Sequence, residues 1–174
     1  MHLSLEVEFL QIIIKQQKYF FLLFLEVSFH LMAPETDKWA IDQTVLEYDG
    51  QLYAIWSGWE GDENVDQRIY IARMDNPWTI SGERVELSMP EYSWEKQGGT
   101  PTINEGPQIA VSPDGTVNIV YSASGSWSDY YCLGCLTLKD GADPMEKESW
   151  TKADQPIFEK NNSTTYSTEL RSAI

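Results

Sequence analysis

Trp39 to Glu47, Tyr48-Asp49-Gly50-Gln51 and Leu52 to Trp56 follow one another without a break. Two β-branched and aromatic runs flank an Asp-Gly pair, the turn whose backbone twist suits two adjoining antiparallel strands. The stretch therefore predicts a hairpin, and Arg68 to Arg73 extends it to a β-meander. The pattern then recurs as Gln108 to Val111, the turn Pro113-Asp114-Gly115, Val117 to Ser122 and Tyr130 to Leu138. Pro77-Trp78-Thr79 is expected to close the first unit and Ser149-Trp150-Thr151 the second, about 70 residues later, a spacing that suits successive sheet repeats with long loops. Between them, the acidic, Trp-bearing segment from Glu83 to Pro101 reads as a strand followed by a long surface connection.

Composition agrees with an all-β domain and narrows its partners. The 174 residues are 42% hydrophobic and 13% aromatic, enough for one compact core. A net charge of −15 repels phosphate backbones and anionic lipid surfaces, so nucleic acid is a poor partner and neutral carbohydrate is not penalised. An acidic face on a soluble protein explains the charge equally well. The chain has 2 histidines, His2 and His30, both before the repeat, so Ser-His, Cys-His and His-based zinc chemistry lack material in the domain. Cys132 and Cys135 are half a zinc motif, and within a strand residues three apart face opposite ways; they read as core or half-buried thiols. No metal ligand set is assigned.

Residues 1–31 differ in character from the rest of the chain. Tyr19-Phe20-Phe21-Leu22-Leu23-Phe24-Leu25 is far shorter than the roughly 20 apolar residues a bilayer span requires, so no membrane span is expected. With Lys15 and Lys18 ahead of it, the run is signal-like, but Glu6 and Glu8 are out of place in a secretory signal. A leader foreign to the domain, with the domain proper entered near Met32, is the favoured alternative. Overlapping sequons at Asn161 and Asn162 permit glycosylation if the chain is secreted.

The repeat also brings two acids into related positions. Asp42 in Ile41-Asp42-Gln43-Thr44-Val45 precedes its Asp-Gly turn by about one strand, and Glu105 in Ile103-Asn104-Glu105-Gly106-Pro107 precedes Asp114-Gly115 likewise. Both are expected on the first strands of neighbouring units. A pair of carboxylates in which one raises the pKa of the other is the equipment of glycoside hydrolysis. Taken on spacing alone, two acids at strand ends are more often solvated turn residues.

These blocks, with Trp56-Ser57-Gly58-Trp59-Glu60-Gly61 and Tyr121-Ser122-Ala123-Ser124, resemble glycoside hydrolase family 43, the arabinanases, arabinofuranosidases and β-xylosidases. The resemblance covers residues 32–160 and implies part of a five-bladed β-propeller, with two to three blades present and a divergent tail at 161–174. It implies inverting hydrolysis of arabinofuranosyl or xylosyl bonds in plant-wall polysaccharide by a secreted enzyme, monomeric if complete. Glu105 matches the general acid and Asp42 the aspartate that tunes and orients it. Gln43 stands where the family usually has Gly. No residue matches the general base, since Asp37 is too close to Asp42 and in the wrong context, so the chain is expected to be inactive alone. The Gly-His-Asn-Ser segment expected near Ser163 to Tyr166 is absent. No cofactor is expected, although an axial metal ion is possible in a complete ring. Sugar sites use flat aromatic faces, but blades also pack with large aromatics, so most of the 7 tryptophans read as core. Trp59 and Trp127, in loops after inner strands, are the candidate substrate platforms. The rival readings are a noncatalytic carbohydrate-binding remnant and a structural propeller in which the two acids only cap loops.

Overall fold

The computed structural model describes residues 38–160; the leader, Asp37, the tail and both sequons lie outside the described residues. Its eight strands are β1 (Ala40–Tyr48), β2 (Gln51–Gly58), β3 (Asp66–Asn76), β4 (Thr79–Ser88), β5 (Thr102–Val111), β6 (Val117–Ala123), β7 (Cys132–Leu138) and β8 (Trp150–Lys152). Strands β1 to β4 form one antiparallel meander and β5 to β8 a second. A short parallel bridge, Asp66 to Thr102 and Gln67 to Ile103, joins them through β3 and β5. Two propeller blades are thus present among the described residues, and their sheet is open rather than closed into a ring.

The turns explain the meanders. Asp49 and Gly50 both have positive φ, 50° and 77°, as the two-residue hairpin joining β1 to β2 requires. In the second blade Ser112 N–H donates to the Thr116 carbonyl and Gly115 takes φ 91°, a longer turn with glycine at the left-handed position.

Period-2 alternation then builds the core. One face of each blade contributes to a shared cluster, with Leu46, Ile55, Ile69 and Ile71 from the first and Ile119, Tyr121, Leu136 and Trp150 from the second. Strands β6 and β7 alternate strictly between buried and half-buried residues. By contrast β2 and β3 are buried on both faces, and Ala54, Trp56, Tyr70, Ala72 and Met74 make a second cluster on the far side of the first blade. At about 25 cal/mol per Å² of apolar area, these two layers supply the main drive for folding.

The structure corrects two landmarks. Pro77 and Trp78 form the β3–β4 turn and Thr79 opens β4, while Trp150 opens β8. Both signatures therefore enter the outermost strand of a blade and do not close it. The repeat length survives because the same place recurs. The connection after β4 is also less of a surface feature than its charge suggests, because Glu95 within it is fully buried.

Arg68 ties the first blade together, reaching Asp66 at 2.7 Å, Glu60 at 2.7 Å and Glu86 at 2.8 Å. Lys147 reaches Glu86 at 2.6 Å from the segment leading into β8, so this carboxylate also links the blades. Burial pushes the Glu86 carboxyl up, but hydrogen bonds from Lys147 and Arg68 outweigh it and hold the group below its ordinary range. The native state therefore binds this proton less readily than the unfolded chain. The associated stability is fully present above the unfolded value near about 4.3 and is lost as pH falls through the lowered folded value. Thermal unfolding between pH 7 and pH 3 should show that loss, and Glu86→Gln should be less stable at pH 7 with a flatter acid limb. An unchanged acid limb in the variant would remove Glu86 from the account.

Candidate active site

The first strand of each blade carries a β-bulge, and these bulges build the site. In β1, Ile41 pairs with Ser57 and Thr44 with Ile55, so Asp42 and Gln43 together oppose Trp56. In β5, Glu105 pairs with Ser122 and Gln108 with Val120, so Gly106 and Pro107 oppose Tyr121. The bulges put Asp42 at φ 56° and Gly106 at φ 59°, a left-handed conformation that glycine takes freely and that aspartate tolerates better than most residues. Asp42 is therefore the positional counterpart of Gly106, and Glu105 stands one residue earlier. This refines the expected equivalence of the two acids, because a bulge shifts which residue faces which way.

Strands β1 and β5 pack against each other, so the two bulges face across the blade interface. A Cβ built at Gly106 would lie 4.0 Å from Asp42 Oδ2 and 3.8 Å from Ser122 Oγ. A Cβ would fit there in ordinary contact, so it is the positive φ and not lack of space that favours glycine at this position. Asp42 is exposed and Glu105 half-buried, so both carboxyls are available to a ligand. From the connection before β7, the Tyr131 hydroxyl donates to Glu105 Oε1 at 2.9 Å. Burial raises the Tyr131 phenol, a hydrogen bond with Ser122 works against that, and the bond to Glu105 with the charges of Glu105 and Asp42 raises it further. Asp42, Glu105, Ser122 and Tyr131 thus form one cluster.

Behind Glu105 the backbone is held by a buried polar network. Asn104 is 0% exposed; Ser88 Oγ donates to its Oδ1 at 2.8 Å and Ser57 Oγ to its carbonyl at 3.0 Å. Asn104 Nδ2 donates to Glu95 Oε1 at 2.9 Å, and the Tyr121 hydroxyl donates to the same oxygen at 3.0 Å. The Glu91 and Tyr92 backbone N–H groups donate to Glu95 Oε2 at 2.8 and 2.9 Å, and Lys152 Nζ lies 2.8 Å from Oε1. Tyr121 reaches this point because its partner across β6 and β7 is Gly134: a Cβ there would sit 2.3 Å from Tyr121 Cζ. Burial first, then the charge and hydrogen bond of Glu95, push the Tyr121 phenol strongly up, so it stays a donor. Sequence reading missed Glu95 and Tyr131. Nothing local marks a buried glutamate in an acidic connection, and a tyrosine ahead of a strand gives no sign of which carboxylate it will meet.

The two candidate tryptophans sit apart from each other. Trp59 stacks on Trp39, with ring centroids 4.5 Å apart and planes at 17°. Trp127 is 59% exposed, donates its indole N–H to the Gly98 carbonyl at 2.8 Å, and with Trp94 and Tyr130 lines an open cleft of about 960 Å³. Neither Asp42 nor Glu105 lines that cleft. Of the remaining tryptophans, Trp56 and Trp150 are core while Trp78 is exposed, so aromatic content alone did not separate core from surface. Gln43, where the family usually has Gly, leaves its Nε2 buried without a hydrogen-bond partner among the described residues. Cys132 is buried and Cys135 half-buried on the opposite face, and burial pushes the Cys132 thiol up to about 11. Among the described residues no three His, Cys, Asp or Glu side chains converge.

Comparison with known proteins identifies the family. The family model for glycosyl hydrolases family 43 matches residues 27–170. An extracellular exo-α-(1→5)-L-arabinofuranosidase of Streptomyces avermitilis is 36% identical over 133 residues, covering 76% of this chain and 27% of that protein. The α-L-arabinofuranosidase 43 of Humicola insolens is 36% identical over 129 residues, covering 74% of this chain and 26% of its own length. Among solved structures, an α-L-arabinofuranosidase from Lactobacillus brevis superposes with a TM-score of 0.66 at 36% identity, over 72% of this chain and 38% of that one. The chain therefore spans only about a quarter of these curated relatives, 27% and 26% of their lengths. With the family model covering most of the sequence, the chain belongs to glycosyl hydrolase family 43.

Proposed function

We propose that this chain carries the acid-bearing part of an inverting glycosidase site that removes arabinofuranosyl units from arabinan-type polysaccharide. The observation that supports it most is that Asp42 and Glu105 stand at bulges on two first strands that pack together, where both carboxylates bear on the Tyr131 hydroxyl. Glu105 delivers its proton to the glycosidic oxygen as the bond to the anomeric carbon breaks. The Asp42 carboxylate beside it favours the protonated acid and orients it. Inversion needs a further carboxylate about 6.5–9.5 Å from the acid to activate water on the opposite sugar face. That general base is not among the residues assigned here, and a blade beyond the two described would supply it. Membership of the family and the arabinofuranosidase names of the relatives support the sugar, and the relative from Streptomyces avermitilis, named extracellular, supports secretion. No helix among the described residues is long and apolar enough to cross a membrane.

The test uses the protein with the blades that complete the ring, incubated with arabino-oligosaccharides and followed by proton NMR. The β-anomer of arabinose should appear first and equilibrate afterwards. An α-anomer appearing first would replace inversion with retention. Oligosaccharide binding without any turnover would favour the noncatalytic carbohydrate-binding reading.

A further inference from the structure

Tyr131 is assigned no part in the chemistry above, yet it makes the one hydrogen bond seen to the candidate acid among the described residues. It sits on the connection between β6 and β7, 38% exposed beside Ser122, with its hydroxyl 2.9 Å from Glu105 Oε1. A phenol of ordinary pKa near about 10 is a donor at neutral pH, so the direction of this bond is settled. The donor occupies one carboxyl oxygen and leaves the other free.

We propose that Tyr131 is a positioning residue for Glu105, fixing its carboxyl through Oε1 so that Oε2 carries the proton given to the glycosidic oxygen. The inference rests on Glu105 being the acid. In the step, the Oε2–H bond breaks and its proton goes to the leaving oxygen, which keeps the electron pair of the cleaved C–O bond. Water attacks the anomeric carbon and gives its own proton to the general base. Glu105 is left ionised, and the Tyr131 bond becomes charge-assisted and therefore stronger.

Three other charged groups near β5 among the described residues are engaged elsewhere. Asp66, on β3 where it meets β5, is held by Arg68. Glu95, from the turn before β5, is held by Lys152 on β8. Asp129, in the same connection as Tyr131, lies 2.9 Å from Lys160. Among the described residues, Asp42 and Tyr131 are the titratable groups that share a site with Glu105.

The experiment is a carboxyl carbon-13 NMR titration of the 174-residue chain with labelled glutamate, the Glu105 signal being assigned by its loss in Glu105→Gln. Tyr131→Phe keeps the ring and removes the donor; it should move the Glu105 midpoint up by about half a pH unit or more, the scale of one partly exposed charge-assisted hydrogen bond. Asp42→Asn should move it down. An unchanged or lowered midpoint in Tyr131→Phe overturns the proposal. If Tyr131→Phe loses its fold by circular dichroism, the reciprocal measurement decides: Glu105→Gln should lower the Tyr131 phenol midpoint read from labelled tyrosine, and no change there overturns the proposal. The titration needs no turnover, so failure of the glycosidase reading would show separately, as a chain that titrates as expected but belongs to a protein that hydrolyses no arabinofuranoside.

Discussion

In the ring-complete protein proposed above as a glycosidase, Glu105→Gln should lower hydrolysis of arabino-oligosaccharides by about 10²- to 10⁴-fold, the range over which a positioned general acid accelerates departure of a poor leaving group. The amide has nearly the shape of the acid and can still accept the Tyr131 hydrogen bond, so fold and binding should change little. The loss should fall on kcat and on kcat/KM together, because proton donation is used only in the transition state. Asp42→Asn is the matched comparison. Asparagine tolerates the left-handed backbone at this bulge at least as well as aspartate, so the variant removes charge without adding strain. Its activity should fall as well, and the alkaline limb of its pH profile should move to lower pH, because an acid without an anionic neighbour gives up its proton sooner. A loss that came entirely from KM in both variants would assign the pair to binding.

Glu95→Ala should destabilise the chain by about 3–5 kcal/mol, the usual cost of stripping the partner from a buried charge. Lys152 is the charge left behind, with its side chain 11% exposed, and Asn104, Tyr121 and two backbone N–H groups lose their acceptor at the same time. Against a total stability of about 5–15 kcal/mol for an ordinary domain, such a loss is large enough to shift a urea midpoint far to the left or prevent folding. The double variant Glu95→Ala with Lys152→Met separates the causes. It removes the orphaned ammonium and leaves only the neutral donors without their acceptor, so it should recover part of the lost stability. A single-variant loss below about 1 kcal/mol, the scale of an exposed ion pair, would show that the group is hydrated in solution.

The blades were legible in the sequence for local reasons. Asp49-Gly50 demands a two-residue turn, and the runs on either side alternate at the period of a strand, so the hairpin of β1 and β2 is set by residues adjacent in the chain. Asp42 and Glu105 were legible as a pair because the repeat copies one position into the next blade. The bulges were not. A bulge is decided by how Asp42-Gln43 and Gly106-Pro107 fit opposite Trp56 and Tyr121, and that is a fact about the neighbouring strand. Glu95 escaped because its five donors come from residues as near as Tyr92 and as far as Lys152. Tyr131 escaped for a related reason: its partner lies 26 residues earlier, and only the pairing of β6 with both β5 and β7 brings them together. The tryptophans carried the least positional information, since Trp78 and Trp150 stand at the entry to equivalent strands and one is exposed while the other is buried.

The role of Glu105 is tested most directly by changing the leaving group. In the ring-complete protein, Glu105→Gln and the unmodified enzyme are compared on arabino-oligosaccharide and on 2,4-dinitrophenyl α-L-arabinofuranoside, whose phenolate departs without a proton. The large loss is expected on the oligosaccharide, and a rate within a few-fold of the unmodified enzyme on the dinitrophenyl substrate. An equal loss on both substrates would contradict that role, because a residue whose absence a better leaving group cannot repair is not the acid.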